Sequence, residues 1–156
     1  MNIDFLETYN DWKRCDFNSV EFAHYLKKTE WLEINKKFKQ GIFKRVFTKN
    51  SIVVKFDDEI GGKHTFSEYR SWASSSKKRR FFICPSLFYK KGLLIQPLLE
   101  DVYRGKMERV PREIQLIAKK YKFSHWWNYG FLDGQLKFYD TDGLYYQLTD
   151  KEERIK

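Results

Sequence analysis

The chain has 156 residues, a length that fits one domain, and sets 30 Lys and Arg against 21 Asp and Glu for a formal charge of +9. With 42% hydrophobic residues, including 14 Phe, 10 Tyr and 5 Trp, it can fill a core, which excludes the low-hydrophobicity, high-charge composition of a disordered chain. Only 3 Pro and 8 Gly occur, which excludes a linker-rich or fibrous chain, so a compact α/β or α+β domain is expected.

The opening stretch MNIDFLETYNDW carries acidic residues where a signal peptide needs a basic region and an apolar run. No run approaches the roughly 18 apolar residues of a spanning helix, so a soluble, cytoplasmic chain with no membrane partner is expected. Cys15 and Cys84 lie far apart without a CxxC motif and are expected to be buried thiols, neither zinc ligands nor a disulfide. The charge is clustered. Residues 34–56 hold seven basic residues and no acid, and residues 69–99 hold seven more, again with no acid. Such a field suits a polyanion, a nucleotide or an acidic protein, and it also serves plain solubility.

In chain order, Asn18 and Ser19 are placed to cap a helix running to about Lys28, with Phe22 and Leu26 on one face. WLEINKKF, IFKRVF and IVVKF then read as three strands separated by turns at KQG and TKNS. After DDEIGGKH, Thr65 or Ser67 is expected to cap a helix carrying Phe66, Tyr69 and Ala73 at helical spacing, which SSSKKRR interrupts. FFICPSLFYKKG and LLIQPLLE read as two further strands about a Lys91-Gly92 turn. Pro111 suits the first turn of a helix whose Ile114, Ile117, Ala118 and Tyr121 form one apolar face. NYGFLDGQLKFYD reads as a hairpin turning at Asp133-Gly134.

This order, together with particular polar residues along 39–143, resembles a reduced version of the protein kinase-like fold. The fold class expected from the resemblance is α+β: a five-stranded antiparallel sheet with a flanking helix, plus a minimal second lobe of one helix and a β-hairpin. The whole chain, 1–156, is then one compact kinase-like domain. Its parts are an N-terminal helical extension at 1–30, an N-lobe-like sheet and helix at 31–100, and a truncated C-lobe-like part at 101–156.

The resemblance implies roles for individual residues. Gly41 in QGIFKRVF stands where kinases have a phosphate-covering loop, although one glycine there equally suits a hairpin turn. Lys55, a single cation among Ile52, Val53, Val54 and Phe56, matches the strand lysine that binds the α- and β-phosphates; an edge or wet-face lysine is the alternative. Glu68, thirteen positions later in the following helix, matches its carboxylate partner. Gln96 and Leu98, with Leu99, match the hinge that borders the adenine, where Pro97 removes one N–H donor.

Asn128 and Asp140 flank the last hairpin as a neutral and a charged oxygen ligand for Mg²⁺, with Asp142 in reserve. Five positions before Asn128, where kinases carry the catalytic aspartate, stands Phe123, which cannot deprotonate a hydroxyl. His125, with an unperturbed pKa near 6.5, is the remaining candidate for a catalytic base. Thirteen residues follow Gly143, too few for the helical lobe that holds a protein substrate.

The function so implied is that of a kinase-like protein that binds ATP or ADP with Mg²⁺, has weak or no phosphotransfer, and acts as a regulator or effector. As an enzyme it would be a minimal ATP-dependent phosphotransferase. Small chains of this sort are similar to proteins encoded by bacteriophages, which would place it in a host cytoplasm. Two alternatives use the basic face. One is a nucleic-acid-binding protein with Phe43, Phe47, Phe81, Phe82, Phe88 and Tyr89 as stacking platforms; the other is a phage protein that binds and inhibits an acidic host protein.

Overall fold

The computed structural model describes residues 4–34, 44–58, 63–104, 107–123, 126 and 128–139. Among them the class is α+β, with a five-stranded antiparallel sheet, a three-stranded sheet and five α-helices. The chain divides into two units, Met1–Phe66 with Ser86–Leu98, and Ser67–Pro85 with Leu99–Lys156. No helix among the described residues is long and apolar enough to cross a membrane.

The first unit opens with helices α1 (Phe5–Arg14) and α2 (Ser19–Lys28). Each starts at a residue whose side-chain oxygen accepts two of the N–H groups that a helix N-terminus leaves without partners. For α1 this is Asp4, bonded to the Leu6 and Glu7 amides; for α2 it is Asn18, as expected, bonded to those of Val20 and Glu21. The strands β1 (Leu32–Ile34), β2 (Lys44–Lys49), β3 (Ile52–Asp57), β4 (Phe88–Lys90) and β5 (Leu93–Pro97) form one sheet in the order β1-β2-β3-β5-β4. Two hairpins turn through paired positive-φ residues, Asn50-Ser51 and Lys91-Gly92, the backbone that a tight two-residue turn requires. The stretch FFICPSL, expected to begin a strand, is not one. Within it Ile83 makes a single bridge to Phe138, and the strand starts only at Phe88.

Register sorts the sheet into two faces. Phe47, Val54 and Ile95 lie opposite one another across β2, β3 and β5, as do Phe56 and Leu93 across β3 and β5. This face is covered by α1 and α2, where the rings of Trp12 and Phe22 lie 5.2 and 4.9 Å from that of Phe56. The opposite face carries Val46, Lys55 and Leu94 in one row and Val53 and Gln96 in the next.

Helix α3 (His64–Ala73) begins in the first unit and continues into the second. Thr65 and Ser67, either of which was expected as its cap, both lie inside it, Thr65 in the first turn. The Thr65 N–H and hydroxyl both donate to the carboxylate of Asp57, at 3.0 and 2.7 Å. A carboxylate at the end of β3 thus supplies what a local cap would.

The second unit holds α4 (Lys77–Arg80), strand β6 (Glu100–Arg104), a 3-10 turn (Met107–Arg109), α5 (Arg112–Lys120) and the hairpin of β7 (Asn128–Leu132) with β8 (Gln135–Phe138). The hairpin turns at Asp133-Gly134, with φ of 49° and 80°, as expected. Two expectations are corrected. The second lobe exceeds one helix and a hairpin, because β6 pairs with β7 to give the sheet β6-β7-β8. SSSKKRR does not merely interrupt a pattern, because Ser76 caps the short helix α4. Ile83, Val110, Ala118, Phe123, Tyr129 and Phe138 form the core of this unit. Gly130 is required on β7, because a Cβ there would come within 2.8 Å of the Leu99 Cβ.

Candidate functional site

On the first unit, one face of the sheet sets buried polar side chains among aliphatic ones. Lys55 sits on the central strand of five, with Val46 and Leu94 directly opposite on the flanking strands. Strand alternation puts Val53 on the same face. Gln96, paired with Val53, is then the diagonal neighbour of Lys55, a position reached at roughly 7–8 Å across an antiparallel pair. Lys55 is neither at an edge nor on a wet face, since it is 5% exposed, and Gln96 is 2% exposed. A buried ammonium and a buried amide both demand polar compensation, which an ordinary core position would avoid.

Leu98 lies just past β5 and is partly exposed. Its N–H donates to the Ser51 carbonyl at 2.9 Å, so the donor that the resemblance expected at a hinge is already engaged within the fold. Near the same face the ring of Phe66 packs on Tyr89 at 5.9 Å.

The sequence reading passed over Asp57, two positions after Lys55 on the same face. It is 5% exposed, and burial pushes its carboxyl above the usual carboxylate range, opposed by the two hydrogen bonds from Thr65 and by the charge of Lys44. Its own N–H donates to the Gly92 carbonyl at 3.2 Å. The available signal was an acid ending an apolar strand shortly before a helix with no cap of its own.

The second unit places the other described candidates. Glu68 on α3 is 1% exposed. Asn128 opens β7 at 4% exposure, and its Oδ1 is a buried acceptor with no hydrogen-bond partner among the described residues. A neutral, hard oxygen in that condition suits an Mg²⁺ ligand. Among the described residues no three His, Cys, Asp or Glu side chains gather as a metal site. Gly41, His125, Asp140 and Asp142 lie outside the described residues.

Phe123 belongs to the core of this unit. Its ring lies 4.7 Å from that of Phe138, and the Arg79 guanidinium carbon sits 4.4 Å from its centroid. The position that the sequence resemblance matched to a catalytic aspartate is thus filled by packing.

Two arginines that read as solvated charge are structural. Arg79 Nε donates to the Tyr121 carbonyl beyond the C-terminus of α5, at 2.8 Å. Arg80 donates to the carbonyls of Trp72 and Ala73 at the end of α3, at 3.1 and 2.6 Å. Cations at helix C-termini satisfy the orphan carbonyls and oppose the negative end of the dipole. Among the aromatic residues expected as stacking platforms, Phe47 is fully buried in the first core and Phe43 lies outside the described residues. The chain has no significant match to a protein-family model, a curated protein or a solved structure.

Proposed function

We propose that the chain is a kinase-like nucleotide-binding protein with weak or no phosphotransfer, acting as a regulator or effector. The observation that carries this reading is the buried cation Lys55 on the central strand, sharing its face with Gln96 and with the aliphatic side chains of Val46, Val53 and Leu94. An ammonium offers a point charge to phosphate oxygens, and the aliphatic side chains beside it would suit the flat face of a base. By the sequence resemblance, Mg²⁺ would be held by Asn128 and Asp140, with Asp142 in reserve. The unpartnered Asn128 oxygen supports the first of these. When bound, the metal would neutralise phosphate charge. Weak or absent transfer is supported by Phe123, whose core position leaves no proton acceptor there.

The test is thermal unfolding of the purified chain with ATP or ADP, with and without Mg²⁺. Ligand at a hundred times its Kd stabilises by about 2.7 kcal/mol, a shift of a few degrees. That shift is expected in the native chain, absent in Lys55→Met and stripped of its Mg²⁺ dependence in Asp140→Ala. No shift at millimolar nucleotide overturns the reading.

A further inference from the structure

On α4 and at the end of α5 the cations divide into two sets. Arg79 and Arg80 are half-buried and turn donors to backbone carbonyls, Arg79 donating to the Ser75 hydroxyl as well. The lysines around them are left outside: Lys77 and Lys78 on α4, and Lys119, Lys120 and Lys122 at the end of α5, are all exposed. The Arg79 bond to Tyr121 and the contact of the Phe82 and Tyr121 rings at 5.2 Å hold these two helix ends side by side.

Aromatic surface lies among them. Phe81 directly follows α4 and is 49% exposed, so part of its ring is open to a ligand. The Lys137 ammonium sits 4.7 Å from the centre of its ring and donates to its carbonyl. Lys120 stands 5.5 Å from the ring of Tyr121. Among the described residues, acids are sparse on these elements: residues 69–99 contain none, and the acid of α5, Glu113, is in its first turn, at the end away from Lys119 and Lys120.

We propose that this surface, where α4 meets the C-terminal end of α5 and strand β8, docks single-stranded nucleic acid. The lysines follow the phosphates, and the exposed ring of Phe81 stacks on an unpaired base. An aromatic face beside cations is what a single strand uses, since every base has a π-face. A duplex hides its base faces from such a ring, whereas an unpaired base offers its face at the spacing of the phosphates.

Fluorescence anisotropy of a labelled oligo(dT) with the full chain tests it. Binding is expected at low salt, with log K falling linearly in log salt. The double variant Lys78→Ala, Lys120→Ala should flatten that slope by about 1.4, at roughly 0.7 per phosphate contact on a single strand. Phe81→Ala should weaken binding roughly five- to a hundredfold with the slope kept, and Phe81→Trp, which preserves a ring, should restore it. No binding at low salt overturns the proposal, as does binding indifferent to both the lysine and the Phe81 changes. So does an oligonucleotide readily displaced by polyglutamate when Phe81→Ala is silent, the mark of a general polyanion surface. Preference for anionic lipid vesicles over the oligonucleotide also overturns it.

Discussion

In the first unit the rings of Trp12, Phe22 and Phe56 lie 4.9 to 5.2 Å apart beneath one face of a five-stranded sheet. In the second the sheet has three strands, and two arginines fasten the ends of α3 and α5 by their carbonyls. The first unit therefore rests mainly on burial of aromatic area, which is non-directional and tolerant of small shifts. The second buries packed rings too, with those of Phe123 and Phe138 4.7 Å apart, and adds hydrogen bonds from guanidinium groups, which are directional and fail when one donor is lost. A small core gains most from such fasteners, because it buries too little apolar surface to order its helix ends unaided.

Three substitutions sharpen or break this contrast. The largest effect is expected from Phe22→Ala, which removes a fully buried ring touching both Trp12 and Phe56. A loss of about 3–5 kcal/mol is expected by chemical denaturation, with amide protection falling throughout β2, β3 and β5. A loss below about 1 kcal/mol would mean that the aromatic cluster is not what holds the first unit.

Next comes Arg79→Met, which keeps the length of the side chain but leaves the Tyr121 carbonyl without its donor and Phe123 without its cation. About 2 kcal/mol should be lost, and hydrogen exchange should locate the loss at the end of α5. An unchanged stability would show that packing alone suffices there.

The smallest effect tests whether directional charge also matters in the first unit. Glu33 accepts three hydrogen bonds from Arg45 and pairs with Lys27 at 3.3 Å. Burial acts to raise its pKa, but the hydrogen bond and charge of Arg45, with those of Lys27, outweigh it and hold the carboxyl below its usual range. A depressed folded-state pKa makes the stabilisation complete above the ordinary value of 4.5 and removes it as pH falls through the lower, folded value. Glu33→Gln should therefore cost about 1.5 kcal/mol at neutral pH and progressively less in acid. A difference that does not change with pH would show that the carboxylate charge contributes nothing.

Local signals in the sequence carried much of the fold. Asn18 before Ser19, Lys91-Gly92 and Asp133-Gly134 announce a cap and two hairpins because their chemistry acts within a few residues. The strands around Lys55 were legible from their β-branched residues. What escaped was set by partners remote in sequence. Arg79 and Arg80 look like solvated charge until the carbonyls they reach are known, and β6 exists only because β7 lies beside it. Of the candidate residues, the type was readable at Lys55 and Gln96 in the first unit and at Asn128 in the second, but their burial was not. The diagonal relation of Lys55 to Gln96 depends on a register between strands about forty residues apart, which no local pattern encodes.

The hairpin at Lys91-Gly92 serves as more than a reversal of direction. The Lys91 carbonyl accepts the Trp12 indole N–H from α1 at 3.0 Å, the Gly92 carbonyl accepts the Asp57 amide, and Asp57 in turn holds the start of α3. At Gly92 a Cβ would meet the Asp57 carboxylate oxygen at 3.2 Å, on a backbone with φ of +81°. Four elements thus share a single knot of about five residues, and they should open in one concerted fluctuation, so that a proton exchanging at Thr65 reports the same event as one exchanging on the indole of Trp12.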